Sequence, residues 1–281
     1  MTADGLATAV GRLEESSDMT LPLFHVDAFT DRPLSGNPAA VCLLPSWKED
    51  RWLQAVGREM NLSETAFLVR NADGFDLRWF TPEAEVDLCG HATLASAHVL
   101  WQQNLANSTE VIRFSTKSGL LKAVRMGDGI ELDFPLEPDE PADPPANLLP
   151  ALGVSAWYVG KNRFDYVVEV ESEQVLRQVA PDFKLLRTIP CRGVIVTSRS
   201  ADPQFDFASR AFFPGLCVDE DPVCGSAHCC LGAFWRKRLG KSEFLAYQAS
   251  PRGGVVKVRV NDDRAFLGGR AVIVAQGELL A

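Results

Sequence analysis

Three segments of the chain recur in the same order, and no other feature restricts its fold as strongly. Residues 75–82 read FDLRWFTP and residues 205–214 read FDFASRAFFP, each with Phe-Asp, then an Arg, an aromatic residue and a Pro. Cys89-Gly90-His91-Ala92 is matched 135 residues later by Cys224-Gly225-Ser226-Ala227. Gly119-Leu120-Leu121-Lys122 is matched at the same distance by Gly254-Val255-Val256-Lys257. The chain therefore reads as two related halves, residues 20–149 and 150–281, preceded by a flexible N-terminal extension, residues 1–19. The Pro-rich stretch 135–150 suits a linker, because Pro interrupts both helices and central strands. Duplication of this kind gives a pseudo-twofold pair with a cleft between its members.

The local pattern repeats as well. Short runs rich in aromatic and branched residues predict strands at 21–29, 39–44, 65–69 and 76–80. Ser46 and Glu49 form a Ser-x-x-Glu signature that predicts a capping box, opening a helix that runs to about Met60. Residues 111–116 form a further strand. Residues 120–126 and 130–134 predict a hairpin over Gly127-Asp128-Gly129, in which Ile130, Leu132 and Phe134 share one face. The second half gives the same order and ends in strands at 255–260 and 271–279. Many strands and few helices indicate α+β with mostly antiparallel sheet.

Each half contains one unusual helix. The first is predicted from Gly90 or His91 to about Gln103, the second from Gly225 or Ser226 to about Leu239. Both are apolar through most of their circumference, and a helix apolar all round must be buried. The arrangement that follows is two pseudo-symmetric halves, each a sheet wrapped around its own central helix. Gly240 suits the C-cap of the second helix, behind Arg236, Lys237 and Arg238.

Composition excludes several classes. Lys plus Arg number 28 against 37 Asp plus Glu, and a net charge of −9 argues against nucleic acid and anionic membrane surfaces as partners. The longest stretch without charged residues, 88–109, contains two His, two Gln and two Asn and does not read as a membrane span. Residues 1–19 lack the apolar core of a signal peptide, so the chain is expected to be cytoplasmic and its seven cysteines to be thiols. Neither Gly-x-Gly-x-x-Gly nor a phosphate-binding P-loop motif occurs, so no nucleotide cofactor is indicated.

The chemistry is expected where the two helices begin. A helix start offers unpaired N–H groups and partial positive charge to a carboxylate, and Gly lets a ligand approach closely. Cys89 and Cys224, just before these starts, are candidates for a matched acid and base, because a helix N-terminus stabilises a thiolate. The alternative is that both are ordinary small buried residues. Glu64 stands at the entrance to a strand. A gapped alignment sets Cys191 near the equivalent place in the second half, so a carboxylate supplied by one half makes the cleft asymmetric. That suits a general base that removes a proton and returns it elsewhere. Asp221, Ser226 and His228 invite a hydrolase reading, but the Gly-x-Ser-x-Gly elbow is absent. Cys217, Cys224, His228, Cys229 and Cys230 invite a zinc reading, but there is no Cys-x-x-Cys pair.

At these residues the sequence resembles the PhzF-like family, named for a phenazine-biosynthesis isomerase. The matching segments are Val26-Asp27-Ala28-Phe29-Thr30, Gly36-Asn37-Pro38-Ala39-Ala40-Val41, Asn61-Leu62-Ser63-Glu64-Thr65, Arg78-Trp79-Phe80-Thr81-Pro82, Leu88-Cys89-Gly90-His91-Ala92-Thr93, and Glu220-Asp221-Pro222-Val223-Cys224-Gly225-Ser226-Ala227-His228. The resemblance implies the diaminopimelate-epimerase-like fold, a homodimer, and a cofactor-free, metal-free isomerase acting on a small carboxylate-bearing metabolite. It implies Glu64 as the acid/base, with His91 and Asp221 in the catalytic group and Asn37, Gly90, Gly225 and Ser226 holding substrate. In one respect the chain departs from the family: the segment before the second helix is often Thr-Gly-Ser, and here it is Cys224-Gly225-Ser226. Paired Cys-Gly segments resemble those of diaminopimelate epimerase and proline racemase, where two thiols act from opposite faces of one carbon. A two-thiol epimerase and a non-catalytic binding protein of the same fold therefore stand beside the Glu64 isomerase.

Overall fold

The computed structural model describes residues 20–107, 109–216 and 218–280; the extension expected over 1–19 lies outside them. In the first half, Thr20–Ala28 pairs antiparallel with Asn37–Leu44, which runs parallel to Glu64–Asn71. Glu64–Asn71 pairs antiparallel with Gly74–Phe80, and Gly74–Phe80 runs parallel to Ile112–Thr116. The hairpin Gly119–Met126 and Gly129–Pro135 completes the series. The second half repeats this order of parallel and antiparallel pairings, from Tyr158–Lys161 to Arg264–Gly269. The fold is α+β with mostly antiparallel sheet.

The repeat distance read from the sequence is also the geometry of the junction. Gly129–Pro135 pairs antiparallel with Arg264–Gly269, and in that register Leu132 lies opposite Leu267, its own counterpart 135 residues on. The pseudo-twofold axis therefore passes through this pair. A repeated ion pair marks the duplication independently. Arg78 donates from Nε and Nη2 to both oxygens of Glu85 at 2.7 and 2.8 Å, and Arg210 does the same to Glu220 at the same distances.

The halves exchange strands. After Gly129–Pro135 the chain crosses over, and Glu140–Pro141 pairs with Tyr158–Lys161 of the second half. After Arg264–Gly269 it crosses back, and Ala271–Leu280 pairs along the whole of Thr20–Ala28. The Pro-rich stretch is thus a structured crossover. Pro150 lies within the short helix Leu148–Leu152, whose first turn tolerates Pro because the missing N–H has no partner there anyway.

The central helices are Gly90–Gln102 and Gly225–Leu239. One apolar core wraps both, with Leu94, Leu100 and Trp101 from the first and Leu231, Phe234 and Trp235 from the second. Smaller cores lie under the helix Asp50–Met60 and under Leu148–Leu152. Gly240 caps the second central helix in the left-handed conformation, as its position suggested. The capping box at Ser46 does not form. The helix begins at Asp50, and its N-cap Glu49 makes no side-chain capping bond. Asp50, in the first turn, instead accepts a hydrogen bond from Arg78 Nη2 at 2.9 Å and complements the helix dipole.

Candidate active site

Both central helices begin at the same place. A Cβ placed on Gly90 or on Gly225 would sit 3.6 Å from the Cα of the other, so the two helix starts meet backbone to backbone. Glycine at both positions keeps the backbone at the junction open to a ligand. Cys89 and Cys224 are the N-cap residues, both extended, and neither thiol caps its own helix. The first amides of both helices therefore have no intrahelical partner and face the junction.

The residues around the junction are unequal. Glu64 opens its strand with its carboxylate 3.1 Å from His91 Nε2, with Glu64 17% and His91 5% exposed. Neither Glu64 Oε2 nor His91 Nε2 is aligned as a hydrogen bond, so each retains bonding capacity in a buried place. Cys89 Sγ lies 3.5 Å from the other ring nitrogen of His91. Asn37 joins the halves: its Nδ2 lies 3.1 Å from His91 Nδ1 and donates to Asp221 Oδ1 at 2.6 Å and to Val223 O at 3.0 Å. Gln248 fixes the segment beneath, accepting from Cys224 N at 2.9 Å and donating to Asp221 O at 2.6 Å.

Charge and burial tune these groups. Burial, reinforced by the charge of Glu64, pushes the Cys89 thiol up to about 11. Burial, with Asp221 beside it, likewise raises Cys224 well above an ordinary thiol. Burial raises Asp221 as well, against the pull of His91, so its carboxyl holds a proton more readily than usual. For His91, burial opposes the charged form, but the adjoining Cys89 and Glu64 outweigh it and raise its pKa well above the ordinary value.

The second half answers Glu64 differently. Thr65 lies opposite Phe80, and Val194 lies opposite Phe212, the Phe that precedes the repeated Pro by the same two steps. The register thus makes Gly193, rather than Cys191, the counterpart of Glu64. Cys191, which the gapped alignment sets near this place, lies two residues upstream of it, outside the strand. A Cβ on Gly193 would sit 2.1 Å from Phe213 Cδ1, so the Phe213 ring fills the space equivalent to the Glu64 side chain. Ser226, the counterpart of His91, accepts a hydrogen bond from Arg192 Nη2 at 3.1 Å and lies 3.3 Å from Cys224 Sγ. Arg192 is held in turn by Asp165. Arg192, Asp165 and Gln248 were not singled out in the sequence. Arg192 carries the one available signal, a cation just ahead of the strand that matches Glu64's.

Among the described residues, which do not include Cys217, neither the hydrolase nor the zinc grouping is assembled. His228 Nδ1 engages Cys224 O at 2.8 Å, so its ring serves its own helix rather than Ser226. Cys229 and Cys230 are buried in the core beside it. Among the described residues, the one grouping with metal-ligand spacing is Glu64, Cys89 and His91.

Residues 26–277 match the family described as phenazine biosynthesis-like protein, PhzC-PhzF. The chain belongs to this family. An uncharacterized isomerase of Halalkalibacterium halodurans is 56% identical over 93% of this chain and 99% of its own length. A crystal structure of a PhzF-family phenazine biosynthesis protein from Enterococcus faecalis superposes with a TM-score of 0.90 at 40% identity, over 94% of this chain and all of that one. A hydroxyproline epimerase from Agrobacterium vitis shares the fold alone, at 14% identity and a TM-score of 0.62 over 93% and 92% of the two chains. Among the described residues, no helix is long and apolar enough to cross a membrane.

Proposed function

We propose that the protein is a cofactor-independent isomerase that moves a proton between carbons of a small carboxylate-bearing metabolite, with Glu64 as the acid/base. The observation that carries this reading is the half-buried Glu64 carboxylate beside His91 Nε2, with bonding capacity unused and with Gly193 in the equivalent place. Glu64 takes a proton from a carbon activated by the substrate's unsaturation, and the electron pair of the broken C–H bond moves into that π-system. The same carboxyl group then returns the proton to a second carbon, so no proton is gained or lost. His91, whose pKa is raised, balances the charge on Glu64 while it waits as the base. Unpaired amides at Gly90 and Gly225 hold the carboxylate. The names of the isomerase relatives and the epimerase fold support this class of chemistry.

A two-thiol epimerase is the second reading, favoured by the matching N-cap positions of Cys89 and Cys224. Against it, burial raises both thiols, and a general base needs a pKa nearer its working pH. The test is a screen of small carboxylates in deuterium oxide, followed by NMR and mass spectrometry. Enzyme-dependent incorporation of deuterium at carbon, abolished in Glu64→Gln and kept in Cys89→Ala, supports the Glu64 reading. Exchange that survives Glu64→Gln and disappears with either thiol transfers the role to the cysteines. No exchange with any compound supports the non-catalytic binding protein.

A further inference from the structure

Arg192 is placed against the second helix start by an arrangement that core packing alone does not require. Its Nε donates to Asp165 Oδ1 at 2.9 Å, and its Nη2 bonds both Asp165 Oδ2 and Ser226 Oγ. Asp165 is fully buried, whereas the Arg192 side chain is 30% exposed. The guanidinium lies over the Phe164 ring, 4.6 Å from its centroid, and 5.6 Å from that of Phe213. These contacts fix its plane. Two of the three guanidinium nitrogens are thereby engaged. Among the described residues Nη1 makes no hydrogen bond, and this leaves two N–H donors on a rigid, permanently charged fork.

The cleft is thus polar along its length. One end carries Glu64, His91, Cys89 and Asp221, all able to titrate. The other carries Arg192, Ser226 and the Gly225 amide, all donors. The asymmetry has a structural origin: Gly193 leaves room for Phe213, and Phe213 in turn supports the Arg192 plane. His91 Nε2 faces the Glu64 carboxylate at 3.1 Å, so the acid/base end is paired within itself, whereas Arg192 keeps a free edge.

We infer that Arg192 is the carboxylate-binding, specificity-determining residue of this cleft. Its free Nη1 edge and Ser226 Oγ join the adjoining Gly90 and Gly225 amides in gripping the substrate's carboxylate, which sets the reacting carbon at Glu64. This rests on the isomerase reading and adds to it an orientation and a selection rule. Carboxylates are accepted, and their amides are refused, because an amide presents its NH₂ group to a cation.

The probes are sodium benzoate and benzamide, matched in shape and different in charge, titrated by ligand-observed NMR. Wild-type protein is expected to bind benzoate in preference to benzamide, and Arg192→Gln to weaken benzoate by about tenfold or more while changing benzamide by less than about twofold. Arg192→Gln alone leaves Asp165 buried without its cation, so the same titration is made on the Asp165→Asn, Arg192→Gln double variant. In wild-type protein, the Arg192 side-chain N–H resonance is expected to shift with benzoate and not with benzamide. A benzoate preference that survives in both variants overturns the inference. So does an unmoved Arg192 resonance, or a wild-type protein that shows no preference. Because the readout is binding, the titration is repeated on Glu64→Gln. Benzoate preference retained there, with no deuterium exchange in any screen, would overturn the proton-shuttle reading and leave Arg192's role standing.

Discussion

Asn37 and Asp221 are joined across the two halves, the amide of one donating to the carboxylate of the other at 2.6 Å. Nearly two-thirds of the chain separates them in sequence. The same Nδ2 donates to Val223 O, so its two hydrogens serve two acceptors of the opposite half. Asn37→Ala is expected to destabilise the protein by about 1–3 kcal/mol, because it leaves a buried acceptor without a donor. Asn37→Asp should cost more at pH 8 than at pH 5, since only a protonated carboxyl can donate to Asp221. Urea unfolding at the two pH values checks both; equal costs for Asn37→Asp at pH 5 and pH 8 would contradict the assignment.

Once a substrate is found by deuterium exchange, Glu64→Gln is expected to lower turnover by about 10²–10⁴-fold with little change in ligand affinity. Cys89→Ala and Cys224→Ala should each cost less than about tenfold, through packing and orientation. Steady-state kinetics of the three variants rank them directly, and the reverse ranking belongs to the two-thiol mechanism.

His228 gives a stability signature independent of any substrate. Burial holds its pKa down at about 4, against roughly 6.5 in an unfolded chain. Between those values the unfolded state takes up a proton that the native state refuses, so stability falls as pH falls. The slope is about 1.4 kcal/mol per pH unit, or about 2 kcal/mol lost by pH 5. His98, also held down at about 4 by burial, titrates in the same window. His228→Gln should therefore flatten roughly half of the loss in stability between pH 6.5 and pH 5. Unfolding curves of identical pH dependence in variant and wild type would refute this.

Gly193→Ala tests the asymmetry of the cleft. The added methyl would lie 2.1 Å from Phe213 Cδ1 and has to displace the ring. The expected cost is about 1–3 kcal/mol. Phe213→Leu in the same chain should relieve part of it, so a double-mutant cycle measures the coupling. A fully additive pair would mean that the ring yields freely.

The sequence carried more of the fold than of the site. The spacing of 135 residues, read from Cys89 and Cys224, is realised as the pairing of Leu132 with Leu267 and the contact of Gly90 with Gly225. Apolar character on all faces was enough to bury both central helices. Crossing strands were not legible, because pairing between residues as distant as Leu23 and Gly277 leaves no local pattern. Within the site, Glu64, His91 and Cys89 are gathered from one half and joined to Asp221 of the other through Asn37. Arg192 escaped notice because its importance lies in a partner, Ser226, 34 residues ahead and in another element. Ser46 misled for the opposite reason: a capping motif is purely local, and the helix begins four residues later, at Asp50, with Glu49 as its N-cap.

Neither half is closed by its own residues, and this sets an order of events during synthesis. Thr20–Ala28 leaves the ribosome well before Ala271–Leu280, which alone covers one of its two edges. At about 5–20 residues per second, that edge stays open for some tens of seconds or less, offering unpaired N–H and C=O groups to any passing strand. The shorter exchange through Glu140–Pro141 is complete as soon as Tyr158–Lys161 appears. The second half can therefore close while the first is still waiting. The nascent chain is most vulnerable to wrong pairing along Thr20–Ala28, until Ala271–Leu280 arrives to seal it.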